Sequence, residues 1–385
     1  MSTAERSPDA TSYELGAYRP PSEAYSLLLR LTRNCPWNRC RFCEMYKGQK
    51  FELRPVAEIK QDILTVAQIR DEIIKLAKSP IYGNDIRKVA LAILNNPPDY
   101  IYQNVALWLY KGGQNVFLQD ANSLVMRTAD LVEVLKFLKQ TLPTINRITS
   151  YCRAKTAALK KLEELKAIHE AGLTRLHIGL ESGSDTILKM IDKGVIAAEE
   201  IEGGKKVVAS GISLSEYYLL GIGGKALWRE QAIESARVLN AINPDFIRVR
   251  TLSINERILM WQDVANGTFI RTTDEEMMEE LKLFIQNLDC HAHFVSDHIG
   301  NLLQEIEGQL PQDKDKMLAI IKRYQALSPA ERQVYRIGRR VKYYNSLDDL
   351  KDPGLHQIVE ELIERLSNGT GMVDEQIVYK MREAM

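Results

Sequence analysis

Apolar residues recur at Ile59, Ile63, Val66, Ile69, Ile73 and Leu76, in steps of three and four that place them on one helix face. That spacing predicts a long helix from Pro55 to about Ser79, broken by Pro80 and Gly83. Two further helical stretches, near Ile86–Leu94 and Pro98–Lys111, are divided by Asn95-Asn96-Pro97-Pro98. Elsewhere the apolar runs shorten to strand length: Tyr25–Thr32, Asn115–Leu118, Arg147–Tyr151, Arg175–Leu180, Leu214–Leu220 and Phe246–Leu252. Helical patterns separate them, at Thr128–Thr141, up to His169, after Asp185, at Glu199–Ala209 and at Gln231–Ile242. Short apolar strands alternating with helices predict an α/β fold, a parallel sheet with crossover helices. Six strands are expected between Ser26 and Leu252.

After the sixth strand the pattern predicts a helix over Asp274–Leu288, a seventh strand at Cys290–Ser296, and then mostly helix with breaks at Pro311, Pro329 and Pro353. About seventy residues lie between the cysteine-bearing loop after the first strand and the second strand, where one crossover helix would suffice. The surplus, about 55–112, is expected to form a helical insert near the substrate mouth. Residues 1–24 are polar and carry Pro20-Pro21, the signature of an N-terminal arm. The domain reading is thus an arm over 1–24, a core over 25–255 and a mainly helical C-terminal extension over 256–385 that covers the substrate cavity.

Composition narrows the function classes. Lys+Arg and Asp+Glu number 51 each, so no global charge favours a polyanion, and no nucleic acid partner is expected. No apolar run approaches the roughly 20 residues of a membrane span, and no signal peptide is apparent. The odd, clustered cysteines fit a reducing compartment better than a disulfide framework, which points to the cytoplasm.

Three of the five cysteines, Cys35, Cys40 and Cys43, fall within nine residues as C-x4-C-x2-C, just past the first strand. Thiolates that close together suit a soft metal centre. A structural zinc site wants four ligands, usually in two pairs, and no second C-x2-C exists. A [4Fe–4S] cluster on three cysteines leaves one iron open for chemistry. Zinc completed by a distant Cys or His, or thiols without a metal, are the other readings.

The loop resembles that of the radical S-adenosylmethionine (SAM) superfamily, a C-x3-C-x2-C with an aromatic before the last cysteine. Phe42 fills that aromatic place, while the first gap here is four residues instead of three. Asp185 closes a Leu180-Glu-Ser-Gly-Ser-Asp segment similar to one in the oxygen-independent coproporphyrinogen-oxidase-like branch and its cobalamin-dependent relatives, here without room for a cobalamin domain. The resemblance implies a (β/α)6 partial TIM barrel. It also implies a [4Fe–4S] cluster whose open iron is chelated by SAM, and reductive cleavage of SAM to methionine and a 5′-deoxyadenosyl radical that abstracts hydrogen from substrate.

Ligands of α/β sheets bind past the carboxyl ends of strands, and the polar residues there are the candidates for SAM contact. After the second strand, Asp120 and Asn122 stand where the family carries a Gly-Gly-Glu type motif, though they also suit a helix cap. Arg153 follows the third strand, beside Cys152, which is more often a small buried hydrophobe. Glu181, Ser182 and Lys193 follow the fourth, Gly221 the fifth, and Arg248 and Arg250 alternate along the sixth. His291, His293, Asp297 and His298, with Cys152, are candidates for the substrate side. His291 and His293 are expected on one strand face.

The reading is a radical SAM enzyme acting on an unidentified small molecule, reduced by an external one-electron donor of flavodoxin or ferredoxin type. The alternative is an iron–sulfur or zinc binding or electron-transfer protein that does not cleave SAM.

Overall fold

The computed structural model describes residues 13–384, so residues 1–12 of the expected arm lie outside the described residues. The described residues form ten strands: β1 Leu27–Arg30, β2 Thr32–Arg33, β3 Glu52–Leu53, β4 Asn115–Gln119, β5 Arg147–Cys152, β6 Arg175–Glu181, β7 Ser213–Leu220, β8 Phe246–Thr251, β9 His293–Val295 and β10 Glu307–Gln309. Eight of them form one sheet in the order β1-β4-β5-β6-β7-β8-β9-β10. β1 pairs parallel with β4, β4 with β5, β7 with β8 and β8 with β9, while β10 runs antiparallel to β9. The six strands read from the apolar runs are therefore β1 and β4 to β8, in chain order. They are buried almost continuously because helices cover a parallel sheet on its faces.

The chain divides into two compact units. One holds the described residues up to Pro36 with Gly48–His177 and Ala209–Ser213; the other holds Trp37–Lys47, Ile178–Val208 and the chain from Leu214. These lines differ from the expected arm, core and extension.

In the first unit, helix Val56–Ala77 buries Ile59, Ile63, Val66, Ile69 and Ile73 as its periodicity requires, whereas Leu76 is exposed in the last turn. Helices Ile86–Asn95 and Tyr100–Tyr110 start on Asp85 and Asp99, whose carboxylates accept from the first free backbone N–H groups. The first and third of these helices pack on β1, so the surplus over 55–112 is a sheet-covering layer. The segment from Tyr13 to Ala24 is no loose tail. Tyr13 is buried and donates to Asn104 Oδ1 at 2.7 Å, Gly16 N–H donates to Gln119 Oε1 at 2.8 Å, and buried Glu23 accepts from Ser26 Oγ and Arg147. Polar composition alone did not reveal these long-range partners. The short β2–β3 ladder, Thr32 opposite Leu53, was likewise not expected.

In the second unit, helix Gly224–Ile242 begins a full two turns before its apolar pattern, right after the glycines that end β7. Helix Asp274–Asn287 packs on it, and Phe284 stacks on Tyr218 of β7 with centroids 3.9 Å apart. Pro329 and Pro353, read as breaks, are first residues of helices Pro329–Arg340 and Pro353–Leu366. Proline is suited to that position because its missing N–H would have no partner there. Helix Met260–Ala265 and β10 were not anticipated, and residues between β9 and helix Lys314–Ala326 are turns and strand instead of helix. Among the described residues no helix is long and apolar enough to cross a membrane.

Glu280 projects from helix Asp274–Asn287 and is fully buried, accepting from Tyr218 Oη at 2.6 Å and Gly221 N–H at 3.1 Å. Burial pushes its pKa from 4.5 up to about 7, although both hydrogen bonds oppose the shift. A raised folded-state pKa stabilises the fold fully below the unfolded value and loses that stabilisation as pH rises through the folded one. Thermal melting should therefore show stability falling between pH 4.5 and pH 7 by up to roughly 3 kcal/mol from this group. Glu280→Gln should flatten that slope.

Candidate functional site

Cys35 follows a backbone that Asp120 holds. Asn34 is left-handed at φ 68°, and its N–H donates to Asp120 Oδ2 at 2.7 Å. Arg30 Nε donates to the same oxygen at 2.7 Å, and its other nitrogens reach Glu14 and Asn34 Oδ1. The Asp120 side chain is wholly buried, and its own backbone is left-handed at φ 70°. Its partners are thus the entry to the cysteine loop, a role that spacing along the chain does not disclose. Asn122, also buried, donates to Thr156 Oγ1 at 2.8 Å.

The loop from Trp37 to Lys47 belongs to the second unit, and several of its side chains are engaged there. Trp37 Nε1 donates to Asp192 O at 2.7 Å, and its indole lies so close to Gly194 that a Cβ there would fall 2.2 Å from the ring. Asn38 Nδ2 donates to Tyr46 O, and Lys47 Nζ donates to Asn38 O at 2.9 Å. Arg41 N–H donates to Ile191 O at 2.9 Å, and its guanidinium holds both oxygens of Asp263 at 2.6 and 2.7 Å. Phe42 packs on the apolar cluster around Ile187, Ile191, Leu252 and Ile254. Cys35, Cys40 and Cys43 are half-buried and in no disulfide.

A soft thiolate set on a pinned loop suits an iron–sulfur cluster. Among the described residues no three His, Cys, Asp or Glu side chains gather around one ion position.

At the end of β6, Glu181 adopts φ 59°, a left-handed backbone that costs a non-glycine residue about 1 kcal/mol or more. Lys193 Nζ lies 3.1 Å from Glu181 Oε1, and the Lys193 ammonium sits 5.8 Å from the Phe42 ring centre. The space they use exists because residue 179 is glycine. A Cβ there would fall 2.2 Å from Glu181 Oε1 and 3.1 Å from Lys193 Nζ. Gln231 Nε2 donates to Glu181 O at 2.8 Å, holding the strained peptide. Ser182 is buried and accepts from Ser184 N–H, so it supports the turn. Gly221, at φ 86°, ends β7 with its N–H on Glu280.

Arg248 and Arg250 share a face of β8 and converge on one carboxylate, Asp297, at 3.3 and 3.2 Å. Arg250 also lies 4.9 Å from the centre of the Tyr217 ring. Two guanidiniums on one half-exposed carboxylate leave a positive charge in excess. Burial, with Arg250 adding to it, pulls His298 down to about 4, so that ring is neutral at physiological pH.

The four-residue substrate cluster is divided by β9. His291 and His293 stand at or before its first residue, whereas Asp297 and His298 follow its last. His291 precedes the strand, and His293 pairs with Glu307 of β10 at 2.7 Å. Cys152 is a buried side chain whose thiol lies 3.2 Å from Arg153 O, and Arg153 leads into helix Ala154–Leu159. The Arg41–Asp263 pair and the indole of Trp37 escaped the sequence reading, because partners 222 and 155 residues apart leave no local pattern.

A sequence description of the radical SAM superfamily matches residues 29–236, more than half the chain. No curated protein matches the chain. Among solved structures, methylornithine synthase is 15% identical with a TM-score of 0.41, over 68% of this chain and 63% of its own. The cobalamin-dependent S-adenosylmethionine radical enzyme OxsB is 13% identical with a TM-score of 0.44, over 93% of this chain and 57% of its own. Coproporphyrinogen III oxidase from Escherichia coli is 13% identical with a TM-score of 0.42, over 68% of this chain and 51% of its own. The chain spans less than two thirds of the length of each. From the family match, the chain belongs to the radical SAM superfamily.

Proposed function

We propose that the protein is a radical SAM enzyme in which Cys35, Cys40 and Cys43 hold a [4Fe–4S] cluster and SAM is cleaved reductively to act on a small-molecule substrate. The carrying observation is the cysteine loop itself, whose intervening side chains are anchored elsewhere while three thiols remain half-buried in one stretch. When bound, the cluster supplies one electron to SAM, releasing methionine and the 5′-deoxyadenosyl radical. Asp120 acts as a positioning residue, holding the backbone that leads into Cys35. Glu181 accepts from the ribose hydroxyls, and Lys193 orients its carboxylate. The excess positive charge of Arg248 and Arg250 suits an anionic group, and the carboxylate of SAM is one that every turnover brings. Phe42, Asn122, Arg153, Ser182 and Gly221 complete the proposed SAM surroundings, and Asp297 with His298 faces the substrate. Cys152, His291 and His293 are further candidates for the substrate side. An external one-electron donor of flavodoxin or ferredoxin type is required, and the reducing cytoplasm suits both donor and thiolates.

In anaerobic assays of reconstituted protein with dithionite and SAM, mass spectrometry should detect 5′-deoxyadenosine above boiled controls. Cys35→Ala, Cys40→Ala and Cys43→Ala should each abolish cluster assembly, measured as iron and acid-labile sulfide per chain. Cys152→Ser and Cys290→Ser should leave the iron content unchanged, and a fall in either would reassign the ligands.

Asp120→Asn keeps a residue tolerated at positive φ but removes the charge that grips Asn34 and Arg30. It should load iron yet lose it several-fold faster to a chelator, whereas an unchanged rate would remove Asp120 from the positioning role. Glu181→Gln should weaken SAM binding about tenfold by equilibrium dialysis while leaving iron content intact.

A further inference from the structure

Past β8, Ile254 and Asn255 line an open cavity of about 660 Å³. Ile254, Trp261, Phe269 and Tyr379 form apolar wall, and Lys225, Arg271 and Lys380 with Glu256 and Glu383 carry charge. None of the residues lining it is among those assigned to the cluster or to SAM.

Arg271 is built into this wall. Its guanidinium carbon lies 5.4 Å from the Trp261 ring centre and 5.6 Å from that of Tyr379. One terminal nitrogen donates to Ile254 O at 3.1 Å, the other donates to Glu383 Oε1 at 3.2 Å, and the buried Nε has no hydrogen-bond partner. Burial weakens its hold on its proton, with Glu383 opposing that effect. The second oxygen of Glu383 accepts from Ser253 Oγ at 2.8 Å and from the Ile254 N–H. One carboxylate therefore collects a guanidinium, a hydroxyl and a backbone N–H at the edge of an aromatic-walled cavity. That donor set recognises a carboxylate as such. The carboxylate that occupies it comes from the last turn of helix Glu375–Glu383, whose Tyr379 and Lys380 also line the cavity.

We propose that Ser253, the Ile254 N–H and Arg271 form a binding site for an organic carboxylate with an apolar or aromatic body, and that Glu383 is an internal competitor holding the site shut. The tethered carboxylate competes at high effective concentration, so an outside acid binds weakly while the helix is docked. Removing Glu383 strands a half-buried guanidinium beside a backbone N–H and a hydroxyl, which an external carboxylate then satisfies. This site needs neither the cluster nor SAM, and it stands or falls separately from the radical reading.

Titration calorimetry of the full chain with 3-phenylpropionate, and with the neutral 3-phenylpropionamide, tests it. Glu383→Gln and Glu383→Ala should bind the acid at least about tenfold more tightly than the unsubstituted chain and gain nothing for the amide. Arg271→Gln added to Glu383→Ala should abolish the gain. Thermal melting shows which variants are folded. Folded Glu383 variants that bind the acid no better would overturn the proposal, as would a gain shared by the amide or surviving Arg271→Gln. If neither Glu383 variant folds, the carboxylate is a structural anchor instead of a displaceable plug, and the proposal falls.

Discussion

The hydrogen bonds from Asn34 N–H and Arg30 to the buried carboxylate of Asp120 are the constraint from which the cysteine loop begins. Both Asn34 and Asp120 hold left-handed backbones, a conformation their short polar side chains tolerate better than most. The carboxylate turns the chain sharply as it leaves the edge of β1, and Arg30 neutralises it where water does not reach. Glu14 then ties Arg30 and Arg33 together, which explains why the segment before β1 is ordered. A residue that looks like a ligand for an ammonium group in the sequence also holds the scaffold that presents Cys35.

The same economy recurs at the end of β6. Glu181 is placed in a strained backbone, and Gln231 and Lys193 hold its two ends, the peptide and the carboxylate. Strain of this kind persists only where surrounding contacts over-determine it, and such positions cluster where function needs a side chain aimed away from the strand. Gly179 matters for what it lacks, since any Cβ there would occupy the carboxylate's place. On β8 the balance is reversed: two cations share one acid, so the unpaired charge is positive and asks for an anion.

The region beyond β8 shows how charge and packing together seat late helices. Prolines at first helical positions and capping Ser328 and Asp352 start helices cleanly. Carboxylates tie down two other helices: Glu280 holds Asp274–Asn287 against the end of β7, and Glu383 holds Glu375–Glu383 against the residues that leave β8. Both sit at strand ends, where backbone N–H groups are free to donate.

What the sequence alone determined was whatever depends on neighbours in the chain. The six parallel strands, the helix over Val56–Ala77 and the three cysteines were legible because burial periodicity and ligand spacing are local properties. Tertiary structure decided the rest. Asp120 is committed to residues 86 and 90 positions away, and Arg41 to one 222 positions away, pairings that no periodicity encodes. The four polar residues near β9 looked like one cluster because they are close in sequence, yet a strand advances about 3.3 Å per residue and carries them to its two ends. Proximity along an extended chain does not survive as proximity in space.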